Sequence, residues 1–165
     1  MEHQVLLGDV YASPILVCCG RGLQDREGFE LAIRVAEVLG GQIVGTRAAV
    51  DKGWIDHHRE LGLSGLRTAP ELYLGCGVSG TNFHTIGMRQ AKHIAAISTD
   101  PLARIFALAE VCVLRDAKET LRELLAEAEA HGPFADPAET IAWVLAFLGA
   151  RSSHVEAIAQ NANSL

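Results

Sequence analysis

One feature constrains the fold of this chain more than any other: short apolar runs alternate with helical or turn-rich stretches. The runs are "SPILVCC" (13–19), "QIVGT" (42–46), "ELYLGC" (71–76), "HIAAIS" (93–98) and "EVCVLR" (110–115). Each is too short for a helix and continuously apolar, as strands covered on both faces are. Between the first two, "REGFELAIRVAEVLGG" (26–41) places Phe29, Ile33, Ala36 and Val38-Leu39 near helical spacing and stops at Gly40-Gly41, a helix C-terminus. Strands alternating with helices predict an α/β protein built on a parallel, doubly wound sheet. Hydrophobic residues make up 49% of the chain and aromatics 5%, so the expected core is aliphatic.

The remaining stretches fill in the plan. "RAAVDKGW" (47–54) reads as a compact turn or half-helix, 55–70 as a loop, and "TNFHTIGMRQA" (81–91) as a helix. "DAKETLRELLAEAEAH" (116–131) opens with an Asp116…Glu119 capping box. "DPAETIAWVLAFLG" (136–149) opens with Asp136 as N-cap and Pro137 at the first helical position. The stretch 152–165 reads as a last helix or a frayed tail. The expected organisation is an N-terminal segment (1–12), one domain (13–131) and a helical extension (132–165).

Charge and cysteine usage exclude several classes. The net charge is −6 with no basic stripe, which argues against a nucleic-acid partner. No apolar stretch approaches the ~20 residues that span a bilayer, so no membrane role is expected. Cys18, Cys19, Cys76 and Cys112 lie in predicted strands without a CxxC pair, and read as buried, reduced thiols in a cytoplasmic chain. His57-His58 has no acidic or thiol partner at ligand spacing, so no metal is expected. No GxxxxGK[ST] loop, GxSxG elbow or nucleophile–base pair is present.

In a doubly wound sheet, ligands bind outside the carboxyl ends of the strands. "GRG" (20–22) there carries Arg21, either a solvent-facing side chain or a phosphate ligand. The "GRG" turn is not the dinucleotide pattern GxGxxG, whose third glycine would fall at Asp25. "TRAAVD" (46–51) carries Arg47, either paired with Asp51 or projecting into the crevice. "GVSGTNFH" (77–84) carries Ser79, Gly80 and His84, with glycines that expose backbone N–H groups to an anion. His84 is either packed or a ligand contact. Asp116 is either an N-cap or an acceptor for ribose hydroxyls.

Taken in order, "GRGL", "TRAAVDKGW", "GLSG…APELYLGCGVSGTNFHTIGM" and "STDPLARIF…AEVCVLRDAKETLREL" resemble the C-terminal FAD-binding domain of the alpha subunit of electron transfer flavoproteins, over roughly residues 13–127. The resemblance implies a Rossmann-like, mainly parallel sheet with helices on both faces. It implies FAD as cofactor and an electron carrier rather than an enzyme with its own substrate, passing electrons between dehydrogenases and an acceptor. It also implies a partner chain like the family's beta subunit, or a homo-oligomer. An alternative is a cofactor-free or nucleotide-sensing interaction module derived from that domain. Carried over position by position, Arg21 matches an arginine of the first glycine turn, Thr46 stands where the family commonly has a serine, and Arg47 matches the arginine near the flavin ring. Ser64, with Gly65 closing its turn, matches a hydroxyl near flavin N5. Ser79 and Gly80 match the phosphate turn, His84 the histidine at the pyrimidine end, and Asp116 the acidic residue on the adenosine side. Three positions depart: Leu63 and Phe83 stand where glutamines are usual, and Ser98 where an asparagine is usual. The N-terminal half of the family's alpha subunit has no counterpart here.

Overall fold

A computed structural model describes residues 8–153 of the chain. Five strands form it: β1 (Ile15–Cys19), β2 (Gln42–Gly45), β3 (Leu72–Cys76), β4 (His93–Ser98) and β5 (Val111–Leu114). They pair in parallel in the order β2-β1-β3-β4-β5. The order reverses between β1 and β3, because the chain first steps from β1 to β2 and then returns to grow on the other side. That reversal opens a crevice at the carboxyl ends of those two strands. The α/β, doubly wound, parallel reading of the sequence is the architecture found.

The two sheet faces are covered unequally. One face carries three long helices: α1 (Arg26–Leu39), α4 (Ala117–His131) and α5 (Pro137–Gly149). On that face Ile15, Val17, Cys19, Leu72, Leu74 and Cys76 pack against Phe29, Ile33, Leu121, Leu124 and Leu148. The other face is covered by connections: 3-10 turns, a short helix α3 (Asn82–Thr85) and loops that deliver Leu61, Val78, Met88, Ile105 and Phe106 onto Leu16, Cys18, Tyr73 and Ala96. Side chains alternate across each strand, so Cys18 and Cys19 serve opposite cores. All four cysteines are buried and unpaired.

Local chemistry explains the element ends. Asp25 caps α1 through the Gly28 amide (3.0 Å), and Gly40 closes it in the left-handed conformation with φ 70°. Thr46 caps α2 (Arg47–Asp51) through the Ala49 amide. Asp116 and Asp136 cap α4 and α5 through the amides of Glu119 (2.9 Å) and Glu139 (2.8 Å). The expected reciprocal arm of the first box is not made, since Glu119 turns to Arg122.

The helix expected over 81–91 is cut to α3, with turns after it. A long-range contact ends it. The Gly87 carbonyl accepts from both the Thr68 amide (2.9 Å) and the Thr68 hydroxyl (2.8 Å), which removes it from any helical ladder. Met88 then turns inward and is fully buried. The final stretch expected as a helix or tail lies, from residue 154 on, outside the described residues.

Candidate functional site

The carboxyl ends of β1, β2 and β3 enclose a cleft of about 410 Å³. It is lined by Arg21, by Thr46, Arg47 and Asp51 after β2, and by the 77–84 segment, Phe83 included. Six residues expected from the sequence therefore meet in one place: Arg21, Thr46, Arg47, Ser79, Gly80 and His84.

The glycines of this region shape the cleft by letting protein backbones touch. Gly77 has φ 68°, and a Cβ there would stand 2.5 Å from the Gly22 Cα. The two turns are also joined by Gly22 N–H to the Gly77 carbonyl at 2.9 Å. Gly80, with φ 82°, lies against the backbone of Ile105 in the same way. Only glycine allows both the positive φ and the close approach. The result is a stretch of backbone fixed from behind and open in front. Among the described residues, the N–H groups of Val78, Ser79, Gly80 and Thr81 donate to no protein acceptor. Consecutive amides left unengaged beside a cleft form a site for anionic oxygens.

Two arginines line the same cleft. Arg47 donates from Nε to Asp51 Oδ1 at 2.9 Å, an exposed pair one helical turn apart, and that partner raises its pKa. Both alternatives weighed for Arg47 are thus realised together: it pairs with Asp51 and also lines the cleft. Its Nη groups make no hydrogen bond among the described residues. Arg21 is exposed and also makes no side-chain hydrogen bond among them.

His84 is the most constrained residue here. It is 4% exposed, with Nδ1 3.2 Å from the Leu61 carbonyl and Nε2 2.8 Å from Tyr73 Oη. A carbonyl can only accept, so Nδ1 carries the hydrogen. Nε2 is then the acceptor, and the Tyr73 hydroxyl donates to it. Burial lowers the imidazole pKa from 6.5 to about 4, against the smaller opposing effect of Leu61, so the ring is neutral. The resemblance implies a histidine at the pyrimidine end of the flavin here, but both ring nitrogens are already satisfied inside the protein. His84 borders the cleft as a neutral wall without a spare N–H.

Four expected residues lie elsewhere. Ser64 donates to Glu60 Oε2 at 3.0 Å, and Gly65 packs its backbone onto the Glu60 carbonyl. Ser98 accepts from the Asp100 amide at 3.1 Å, fixing the turn after β4. Asp116 caps α4 and also accepts from Gln24 Nε2 at 3.2 Å. None of the four lines the cleft; each is occupied in shaping its own turn.

One residue was not anticipated. Tyr73 is fully buried and fixes His84. Its signal is Gly75 two positions on: both lie on one strand face, and a Cβ at Gly75 would meet the Tyr73 ring at 3.0 Å. Phe83 is 39% exposed and forms part of the cleft wall, with its carbonyl accepting from the Leu63 amide at 2.8 Å. Leu63, 55% exposed, therefore stands beside it, and the two departures from the family pattern are neighbours.

Among the described residues, no helix is long and apolar enough to cross a membrane. Comparison with known proteins accords with the geometry. Residues 9–89, which carry β1 to β3 and the whole cleft, match the family described as the electron transfer flavoprotein FAD-binding domain. The chain is 40% identical over 121 residues to Protein FixB of Clostridium saccharobutylicum, covering 73% of this chain and 36% of that protein. It is 36% identical over 124 residues to the electron transfer flavoprotein subunit alpha of Clostridium acetobutylicum, covering 75% of this chain and 37% of that one. With the mitochondrial alpha subunit of Oryza sativa subsp. indica it shares 42% over 117 residues, 71% of this chain and 33% of the relative. The chain thus spans about a third of the length of these relatives. By its sequence motifs, its parallel sheet and these matches, the chain belongs to the electron transfer flavoprotein alpha-subunit family, in the FAD-binding domain.

Proposed function

We propose that the cleft receives FAD and that the chain is the flavin-binding part of an electron carrier. In this reading it passes electrons between dehydrogenases and an acceptor, together with a partner chain like the beta subunit or with a second copy of itself. The observation that carries the reading is the run of unengaged amides at Val78–Thr81 in a cleft also lined by two arginines. That arrangement suits a dianionic pyrophosphate: backbone donors supply direction, and arginines supply permanent charge.

Bound flavin supplies reversible one- or two-electron chemistry; the chain's own residues bind, orient and neutralise. Ser79 and Gly80, with the neighbouring amides, would hold phosphate oxygens. Arg47, oriented by Asp51 through Nε, would offer its Nη groups to the anionic parts of the cofactor. Phe83 would give an apolar surface in place of an amide. Ser64, Ser98 and Asp116 would act at one remove, by holding the turns around the site. The cytoplasm is the proposed compartment, a reducing one that suits four unpaired cysteines.

Replacement of Arg47 by alanine tests the assignment. Arg47 is exposed and its ion pair is a surface pair, so the melting temperature should stay unchanged. FAD affinity should fall about tenfold or more, the loss of one charge-assisted contact. Unchanged affinity in a stably folded variant would remove Arg47 from the site.

A further inference from the structure

Outside the cleft, the 3-10 turn His57–Arg59 and its N-cap Asp56 bring three potential ligand atoms together. Asp56 Oδ1 lies 3.5 Å from His57 Nδ1 and 3.7 Å from His58 Nδ1. One ligand atom from each residue lies within 4.8 Å of the others. The imidazole rings meet edge to face, with centroids 4.1 Å apart and an interplanar angle of 61°. Adjacent histidines usually diverge, which is why the sequence alone gives no reason to pair them. The tight turn overcomes that divergence, and the acidic partner is the residue directly before them.

The set matches the needs of one ion. Around a divalent first-row metal with bonds of about 2.0–2.1 Å, neighbouring ligand atoms stand roughly 2.9–3.4 Å apart. The two carboxylate–imidazole separations are close to that already, so binding needs only small rotations of exposed side chains. The turn is held at its C-terminal end. Arg59 next door is buried and donates to the Ile43 carbonyl (3.0 Å), the Gly8 carbonyl (2.8 Å) and Gln42 Oε1 (3.2 Å). Its guanidinium is thereby tied to the sheet edge. Leu61, two residues on, is tied to the Gly45 carbonyl at 2.9 Å.

The other described histidines are differently engaged. His84 is buried between Leu61 and Tyr73, His93 is 2.7 Å from Glu110, and His131 stacks on Phe134. We propose that Asp56, His57 and His58 form a surface site for a borderline divalent metal ion such as Zn²⁺, with two imidazole ligands, one carboxylate and open positions for water. Imidazole and carboxylate together select this class over calcium or magnesium, which take oxygen ligands.

The test is zinc titration of the full, untagged chain by calorimetry, after removal of metal with a chelator. The wild type should take up one equivalent at a site that H57A/H58A abolishes. Asp56→Asn keeps an oxygen for the turn but loses the charge, and should weaken zinc binding by at least about tenfold. All three side chains are exposed, and unchanged melting temperatures will show that the variants are folded. Zinc binding that survives in H57A/H58A, or no one-equivalent binding by the wild type, overturns the proposal.

Discussion

At the scale of single residues, His84 connects the core to the cleft. Its folded pKa of about 4 lies below the ordinary value of 6.5, so the fold prefers the neutral ring. The stability this represents is fully present above pH 6.5 and is lost as pH falls through about 4, where the folded ring also protonates. Its size is up to about 3 kcal/mol. Chemical denaturation between pH 7 and 4 should show that loss, and His84→Gln should flatten the profile over this window. An unaltered slope in His84→Gln would place the titration elsewhere. Phe83 makes the second argument at this scale. It is an apolar side chain, partly exposed, where the family usually has an amide. Phe83→Gln restores a donor and an acceptor at the cleft wall, and should tighten FAD binding by about threefold to tenfold, the worth of one neutral hydrogen bond. Equal or weaker binding would mean that Phe83 is itself a favourable contact. The sequence alone shows that His84, Arg47 and Ser79 stand at strand ends. It offers the Arg47–Asp51 pair, which spans one helical turn, but not the partners of His84, because Tyr73 and Leu61 reach it through the folded chain.

At the scale of elements, the strands are legible because burial on both faces leaves a continuous apolar run. The long helices are legible because their caps are local. Asp25, Asp116 and Asp136 each bond an amide three residues ahead, and such a contact can be read within one turn of sequence. Helix α3 is not legible in this way. Its length is set by Thr68, which captures the Gly87 carbonyl from another loop. The expected site residues divide along the same line. Ser64, Ser98 and Asp116 are hydroxyls and a carboxylate whose local turns use them first, so strand-end position alone does not bring them to the cleft. Helix α5 gives a measurable case. Asp136 caps it, and its Trp143 and Phe147 continue a series of rings into the core: His131 on Phe134 at 4.4 Å, Phe134 with Trp143 at 5.4 Å, and Trp143 on Phe147 at 5.5 Å. Arg151 then covers Phe147 at 3.7 Å. Asp136→Ala should cost about 1 kcal/mol in urea unfolding through the lost cap. No change in midpoint would mean that the aromatic series alone holds the helix. Gly77→Ala is predicted to be more damaging, at about 2 kcal/mol or more, since it adds a Cβ against Gly22 at φ 68°.

At the scale of the whole molecule, the parallel sheet is a platform with two different faces. Three long helices and an aliphatic core cover one face and give it rigidity. Loops cover the other, and they meet the helix-bearing side at the crevice where strand order reverses. The strand ends of β1, β2 and β3 thereby gather cations, hydroxyls and unengaged amides that are far apart in sequence. This convergence was legible from the alternation of elements, because topology alone decides which strand ends are neighbours. The family identity adds the cofactor class, and the cleft adds a physical reason to expect an anionic ligand. The most direct test is a titration of the purified chain with FAD, followed by flavin absorption and fluorescence. A red-shifted, structured flavin band with quenched emission, saturating at one FAD per chain, is the predicted result. An unperturbed flavin spectrum up to high micromolar FAD, with the protein folded, would contradict the account.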